Sequence, residues 1–183
     1  MKKILLIFFT LMFLIASMAT ANALTLSIPD TTGYIGKTVT IPVKIENASN
    51  VGSIELVILY NDSLLNVKKV EKGSLVKGLI TYNTSEAGMI AVNLVDSNGI
   101  NGDGEIIKIT FDILATTEGN TSLVIQNAKA YDVDTYTDLP IDTTTGTLTI
   151  STSSSTNQTP GFEIITFISA FTLLAILLVL KRR

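Results

Sequence analysis

The chain has 183 residues with no cysteine and no histidine, so it lacks the usual nucleophile and base pairs and the common zinc ligand sets. Between residues 24 and 150 there are fifteen Asp and Glu against eight Lys, a balance of about seven negative charges. Nucleic acids and anionic lipids require a basic surface, so we expect neither as a partner of this segment.

Residues 1–23 show the three parts of a secretory signal peptide. Met1-Lys2-Lys3 is basic, residues 4–15 are apolar, and Ala21-Asn22-Ala23 places small residues where signal peptidase cleaves. We expect the mature chain to begin near Leu24. A retained membrane anchor is the alternative.

Residues 24–150 predict an all-β fold. Short segments of period two are separated by turn residues, the pattern of a sandwich of antiparallel strands, and no helical stripe interrupts them. The nine predicted strands are 24–28, 38–46, 51–60, 65–70, 79–82, 89–95, 105–114, 122–125 and 146–150. The main breaks fall at residues 32–33, 47–50, 61–62, 84–88, 98–104, 117–120 and 143–145.

Alternation assigns faces to the predicted strands, because successive side chains of a strand point to opposite sides. The predicted core rows are Val39, Ile41, Val43 and Ile45; Ile54, Leu56, Ile58 and Tyr60; Ile90, Val92 and Leu94; and Ile107, Ile109, Phe111 and Ile113. Ile106 falls on the opposite face, with Lys108, Thr110 and Asp112. The outward row Ser53, Glu55, Val57 and Leu59 mixes polar and aliphatic side chains, as expected of a surface that a partner covers some of the time.

Residues 151–159 are almost entirely Ser, Thr, Asn and Gln, too polar to form a core, and predict a stalk. Five triplets match the N-glycosylation acceptor pattern. Their asparagines are Asn47, Asn61, Asn83 and Asn120 in predicted turns of the domain and Asn157 in the stalk.

The C-terminal tail predicts a membrane anchor. Residues 164–180 are uncharged and are followed by Lys181-Arg182-Arg183, and about 17 to 25 apolar residues cross a bilayer. The basic cluster is expected to remain cytoplasmic, so the exported domain is expected on the outer face of the membrane.

Pro160, Gly161 and Phe162, placed between the stalk and the apolar stretch, make residues 160–183 resemble the archaeal PGF-CTERM sorting signal. The resemblance implies an archaeal surface protein whose tail an archaeosortase removes near Pro160 and replaces with lipid. A retained transmembrane helix is the alternative.

Residues 24–150 resemble a cohesin, the module that docks a dockerin. The resemblance depends on the order and spacing of several segments, which are residues 36–43, 51–62, 64–73, 90–99, 104–111 and 146–150. It implies a jelly-roll sandwich, a dockerin-bearing partner and no catalysis. Carbohydrate-binding modules of the same jelly-roll type are also similar, so a polysaccharide ligand, or a structural role in the cell envelope, stays open.

By the same resemblance, one sheet face contacts the partner. The contact residues it implies are Ser53, Glu55, Val57 and Leu59 on one strand and Asn93, Val95 and Asp96 on another. Glu55 then centres an acidic face, which suits the Ser, Thr, Lys or Arg that dockerin helices usually present. A solvated strand face is the alternative for each residue.

Calcium is the one cofactor for which candidate ligands exist, namely Asp96, Asp103, Asp132 and Asp134. The segment from Asp96 fails the EF-hand pattern, because Ile100 and Ile107 occupy positions that need oxygen ligands. The glycines of this segment are also explained by a tight loop between strands. A solvated connection before the last strand likewise explains Asp132 and Asp134.

An enzyme is not expected. A glycosidase needs two carboxylates across a cleft, and the predicted loops are too short to build one. Sugar binding usually relies on flat aromatic rings, yet this segment has no Trp and only one Phe, Phe111. Its five tyrosines keep a polysaccharide ligand as the second hypothesis.

Overall fold

The computed structural model describes residues 23–152. The predicted signal peptide, Asn157, the Pro160-Gly161-Phe162 motif and the apolar tail lie outside the described residues. In the part described, no helix is long and apolar enough to cross a membrane.

The described residues form strands and turns, which confirms the predicted all-β fold class. The ten strands are β1 (Leu24–Ser27), β2 (Thr31–Tyr34), β3 (Thr38–Leu59), β4 (Leu65–Lys72), β5 (Leu79–Asn83), β6 (Met89–Ile113), β7 (Gly119–Asp132), β8 (Asp138–Leu139), β9 (Ile141–Thr144) and β10 (Gly146–Ser151).

Two long strands, β3 and β6, take part in both layers of the sandwich. The first half of β3 pairs with β1 and with the second half of β6, which in turn pairs with β4, while β9 pairs with β1. We call this layer the back sheet. The second half of β3 lies between the first half of β6 and β7, and β5 pairs with β6 on the outside. We call these four strands the front sheet.

The predicted breaks at 47–50 and 98–104 are wrong, because β3 and β6 continue through them as a bulged pair. Ala48 lies opposite Gly102 and Val51 opposite Ile100, with register shifts on both sides. Asn47, Asn50, Gly99 and Gly102 adopt positive φ angles in this region, as bulges and tight bends require. The Asn and Gly residues therefore bend two paired strands from one sheet into the other.

Other differences concern short edge strands. β2 includes the predicted break at 32–33, and β9 covers most of that at 143–145. β9 runs parallel to β1 and β2 parallel to β10, so pairing is not antiparallel throughout. No hairpin joins either pair, and turn geometry therefore does not dictate their direction.

The domain also ends slightly later than the sequence boundary at residue 150. β10 continues to Ser151, whose carbonyl accepts a hydrogen bond from the N–H of Ile35 at 3.0 Å. Thr152 donates its backbone N–H and its hydroxyl to Glu118 Oε1, at 2.8 and 2.7 Å. The first two residues of the predicted stalk thus belong to the folded domain.

The predicted rows meet in one core between the sheets, and their aliphatic members and Phe111 are buried. Tyr60 is partly buried, and its ring contacts Phe111 at a centroid distance of 5.3 Å. Ile106 is an exception, because alternation predicts an outward side chain but the residue is fully buried. A register shift pairs Val43 with Ile107 and Lys44 with Glu105, which leaves Ile106 as the extra residue of a bulge.

The approach of β7 to β3 depends on a glycine beside the front sheet. Gly52 is buried, and a Cβ added there would lie 2.6 Å from Cα and 2.8 Å from Cβ of Val133. Backbone atoms cannot yield as a flexible side chain can, so any larger residue must push the two strands apart.

We therefore expect Gly52→Ala to lower the free energy of unfolding by about 1 to 3 kcal/mol. The measurement is a urea titration followed by circular dichroism. Gly119→Ala is the matched control, because Gly119 also lies in a strand but has no atom within 4 Å of an added Cβ. Equal midpoints for the two variants would contradict this close packing.

Candidate functional site

The outer face of the front sheet is a grid of side chains from four strands. Residues opposite one another in paired strands share a face, so the pairings define its rows. Taken from β5 through β6 and β3 to β7, the rows are Leu79, Val95, Ser53 and Tyr131; then Thr81, Asn93, Glu55 and Lys129; then Asn83, Ala91, Val57 and Gln126; and finally Met89, Leu59 and Val124. We call this surface the front face.

Six of the seven residues predicted to contact a partner lie together on the front face. Ser53, Glu55, Val57 and Leu59 follow one another along β3, while Asn93 and Val95 lie beside them on β6. Alternation identified the row on β3, because its inward neighbours Ile54, Leu56 and Ile58 are strongly apolar, whereas Asn93 and Val95 were implied by the resemblance to cohesins.

The structure places Asp96 apart from the other six. It is 2% exposed, and its Oδ2 accepts hydrogen bonds from the backbone N–H groups of Lys77 and Gly78 at 2.8 and 2.9 Å. Its Oδ1 accepts from Asn98 N–H at 3.1 Å. Asp96 thus anchors the turn that leads into β5, and it positions the front face from inside.

Hydrogen bonding also decides the ionisation of Asp96. Burial by itself raises the pKa of a carboxyl group, but the N–H groups of Asn98, Lys77 and Gly78 stabilise the carboxylate. Their combined effect holds the pKa of Asp96 below its ordinary value.

The front face also includes residues that the sequence did not identify, contributed by β5 and β7. Leu79, Thr81 and Asn83 come from β5, and Gln126 and Lys129 from β7. Period two indicated which residues alternate, but it carries no information on which strands are neighbours. The predicted strand 122–125 ended before Lys129, because the bulge at 127–128 interrupts the alternation.

The charge of the front face differs from the acidic surface expected around Glu55. Lys129 of β7 lies directly opposite Glu55 of β3, and these two are the charged residues among the four rows. The centre of the face is therefore close to neutral, with one donor group and one acceptor group side by side.

A β-bulge in β7 shapes the middle of the front face. Glu55 pairs with Lys129 and Val57 with Gln126, so β7 has one extra residue here, and Asn127 adopts a φ of 49°. An open depression lies at this point, lined by Glu55, Val57, Ala91, Asn93, Asn127, Ala128 and Lys129 among others. A bulge that redirects side chains beside a depression suits the recognition of a side chain from a partner.

One end of the front face is apolar. Leu79 and Val95 lie opposite each other on β5 and β6, and they are 77% and 55% exposed. Exposed aliphatic side chains gain free energy when a partner removes them from water, at about 25 cal/mol per Å². The opposite end, formed by Met89, Leu59 and Val124, is also apolar but is less exposed. The face therefore combines apolar ends with a polar centre.

The calcium candidates are spread over three places. Asp96 anchors the turn before β5, and Asp103 Oδ1 accepts the N–H of Asn47 at 2.7 Å. Asp132 and Asp134 lie together, because each accepts a hydrogen bond from Nδ2 of Asn50, at 3.1 and 2.8 Å. Within residues 23–152, no three acidic side chains converge as a metal site would need.

Asp132 instead organises the turn after β7. Its Oδ1 accepts hydrogen bonds from the backbone and hydroxyl of Thr135 and from the N–H of Asp134. The bonds from Thr135, supported by those from Asp134 and Asn50, hold the pKa of Asp132 below its ordinary value.

The exposed tyrosines do not share a surface row. Tyr34 lies in β2, Tyr82 in β5 and Tyr136 in the turn between β7 and β8. β2 pairs with β10 and β5 with β6, so these elements are not neighbours. A flat platform of adjacent rings is not formed by these three residues.

Comparison with known protein families identifies the domain. A family model described as cohesin domain matches residues 24–150. No curated protein is similar enough to count as a match.

Solved structures give the same result. The chain is similar to a non-cellulosomal cohesin from the hyperthermophilic archaeon Archaeoglobus fulgidus, with 34% identity and a TM-score of 0.67 over 73% of this chain and 94% of that one. It is also similar to a crystal structure of the CaDoc0917–CaCohA2 complex, with 28% identity and a TM-score of 0.66 over 70% of this chain and all of that one. CaCohA2 comes from Clostridium acetobutylicum.

A type I cohesin–dockerin complex from Clostridium thermocellum matches at 20% identity and a TM-score of 0.66, covering 71% of this chain and 100% of that one. At this identity, the match supports the fold alone. Together these similarities confirm the predicted jelly-roll sandwich and the predicted resemblance to cohesins.

We expect Asp96→Asn to lower the free energy of unfolding at pH 7 by about 1 to 3 kcal/mol, because a neutral amide is a weaker partner for three N–H donors. The lowered pKa stabilises the fold above the unfolded-state value, near 3.9, and this contribution is lost as pH falls through the folded-state pKa. The difference between wild type and variant should therefore shrink below about pH 4.

The measurement is a series of urea titrations between neutral and acidic pH. Asp142→Asn is the control, since Asp142 is exposed in β9, and it should leave the profile unchanged. A constant difference between Asp96→Asn and wild type at all pH values would contradict the ionised, hydrogen-bonded state of Asp96.

Proposed function

Residues 24–150 belong to the cohesin family, and from this premise we propose that the front face captures a dockerin-bearing protein outside the cell. The observation that carries the proposal is the grouping of Ser53, Glu55, Val57, Leu59, Asn93 and Val95 on one exposed sheet face. The similarity to the CaDoc0917–CaCohA2 complex, at 28% identity, supports it.

The face suits a helical partner. Its apolar end around Leu79 and Val95 can be buried by aliphatic side chains, while the depression between Glu55 and Lys129 receives a polar side chain from the middle of the same helix. Because the face consists of paired strands rather than loops, little ordering is required on binding, which favours affinity.

We propose a binding module rather than an enzyme. The chain has neither histidine nor cysteine, and the carboxylates with lowered pKa values, Asp96, Glu118 and Asp132, each accept hydrogen bonds that organise the backbone. A general acid or base needs a pKa near the working pH instead.

The location of capture is proposed from the two ends of the sequence. The signal peptide directs export, signal peptidase releases the chain near Leu24, and the stalk holds the domain away from the membrane. An archaeosortase then exchanges the tail for a lipid near Pro160. The chain in this proposal displays a docking module at the cell surface.

We expect Glu55→Lys to weaken dockerin capture by about tenfold or more, because the variant places a second positive charge directly opposite Lys129 at the centre of the face. The measurement is biolayer interferometry with immobilised full-length chain against dockerin modules encoded in the same genome. Lys44→Glu, an exposed position on the outer side of the back sheet, is the matched charge reversal and should bind normally.

A double variant separates folding from recognition. Combining Glu55→Lys with Lys129→Glu restores an opposite pair across the strands and hence local stability. We expect the denaturation midpoint to return to the wild-type value. Capture should stay weak, because the carboxylate now lies at position 129 in β7 instead of position 55 in β3. Binding to glycan arrays together with no binding to any dockerin would overturn the docking function in favour of a polysaccharide-binding module.

The processing proposal is tested by mass spectrometry of the mature protein from its native membrane. We expect an N-terminal peptide that begins near Leu24 and a C-terminal peptide that ends near Pro160 and carries lipid. Detection of an intact Arg183 on the mature chain would instead show that the tail is retained.

A further inference from the structure

The four glycosylation triplets within the described residues occupy different positions relative to the front face. Asn83 is the last residue of β5, and its partner Ala91 lies opposite Val57, so Asn83 belongs to the third row of the face. Asn61 follows the end of β3 in the turn toward β4, and Asn47 lies in the bulged bend. Asn120 pairs with Thr149 of β10, beyond the end of β3.

The side chain of Asn83 is arranged as an accessible acceptor. Its Oδ1 accepts the N–H of Ser85 at 2.8 Å, and this bond does not engage Nδ2, the atom that would carry a glycan. Both Asn83 and Ser85 are exposed. Asn47 differs, because its Nδ2 donates to the carbonyl of Ala23 at 3.2 Å.

A glycan at Asn83 would stand at the edge of the docking surface. Paired strands lie about 4.8 Å apart, so the four strands of the front sheet span roughly 15 Å. An oligosaccharide is bulky and strongly hydrated, and it would hold water over side chains that a partner must cover, such as Leu79 and Val57. Steric exclusion and retained hydration both oppose docking.

We propose that N-glycosylation of Asn83 masks the front face, so that occupancy of this one acceptor sets the fraction of displayed protein that can capture its partner. The inference rests on the proposed docking function. The modification joins Nδ2 of Asn83 to the anomeric carbon of an oligosaccharide supplied as a lipid phosphate ester. The bond from that carbon to the phosphate oxygen breaks, the phosphate keeps the electron pair, and Nδ2 releases one proton.

The first test changes the acceptor pattern and keeps Asn83. Ser85→Ala removes the pattern, whereas Ser85→Thr preserves it, and both retain the backbone N–H that binds Asn83 Oδ1. After expression in a host that N-glycosylates exported proteins, glycopeptide mapping should find Asn83 modified in wild type and Ser85→Thr only. Ser85→Ala should capture dockerin about tenfold more tightly than the modified proteins.

The second test attaches an oligosaccharide by chemical labelling instead of enzymatic glycosylation. The chain has no cysteine, so Asn83→Cys creates a single site for a maleimide-linked oligosaccharide. Asn66→Cys is the matched control, because Asn66 is an exposed asparagine on the edge strand β4 of the back sheet, opposite Asp112. Labelling at position 83 should weaken dockerin capture by about tenfold or more, and labelling at position 66 should leave it unchanged.

These tests distinguish the two proposals. If wild-type chain made in a host that does not N-glycosylate captures no dockerin, and neither does unlabelled Asn66→Cys, the docking function fails, and the masking inference fails with it. If unlabelled protein captures dockerin and labelling at position 83 has no effect, masking alone is overturned. An unmodified Asn83 in the mature native protein likewise overturns masking while leaving docking intact.

Discussion

The structure depends on one bulged pairing between β3 and β6. Near residues 47–51 and 100–102, both strands shift register and bend together, so each contributes one half to the back sheet and one half to the front sheet. Hydrogen bonds from Asn47 to Asp103 and from Asn50 to Asn101 join the two bends. The two layers are therefore connected covalently and by hydrogen bonds at their crossing, and a domain without disulfides gains from such a connection.

The geometry of the front face follows from this crossing of β3 and β6 between the two sheets. Once β3 enters the front sheet beside β6, its outward row lies between the rows of β6 and β7, and β5 completes the edge. Two buried contacts keep these neighbours in place. Gly52 lets the backbone of Val133 approach β3, and the Asp96 carboxylate anchors the turn before β5. The geometry of the front face therefore relies on interior groups that are not part of its surface.

The same arrangement connects docking with its proposed control. β5 is an edge strand of the front sheet, so a residue on its outward side is both accessible to a modifying enzyme and adjacent to the docking surface. Asn83 meets both conditions, and it is the one of the four acceptor asparagines in residues 23–152 that belongs to a row of the front face. In this proposal, a glycan there acts on docking through bulk and hydration, without any change in the fold of the domain.

The sequence by itself determined the fold class and the sidedness of the strands. Ile54, Leu56 and Ile58 face inward because period-two alternation of apolar and polar residues is a local property, readable without any neighbouring strand. Alternation therefore identified the four front-face residues of β3, whereas Asn93 and Val95 were implied by the resemblance to cohesins. It misassigned Ile106, because one extra residue in a bulge reverses the sidedness of the strand beyond it.

The tertiary structure decided which strands are neighbours. Lys129 opposite Glu55, Leu79 beside Val95 and the donors around Asp96 all result from pairing between segments that are distant along the chain. Such pairing is set by backbone hydrogen bonds, in which every residue can accept and every residue except proline can donate, and so it leaves little trace in residue type. The face could thus be outlined from one strand, but its charge, its apolar end and the position of Asn83 on it required the assembled sheet.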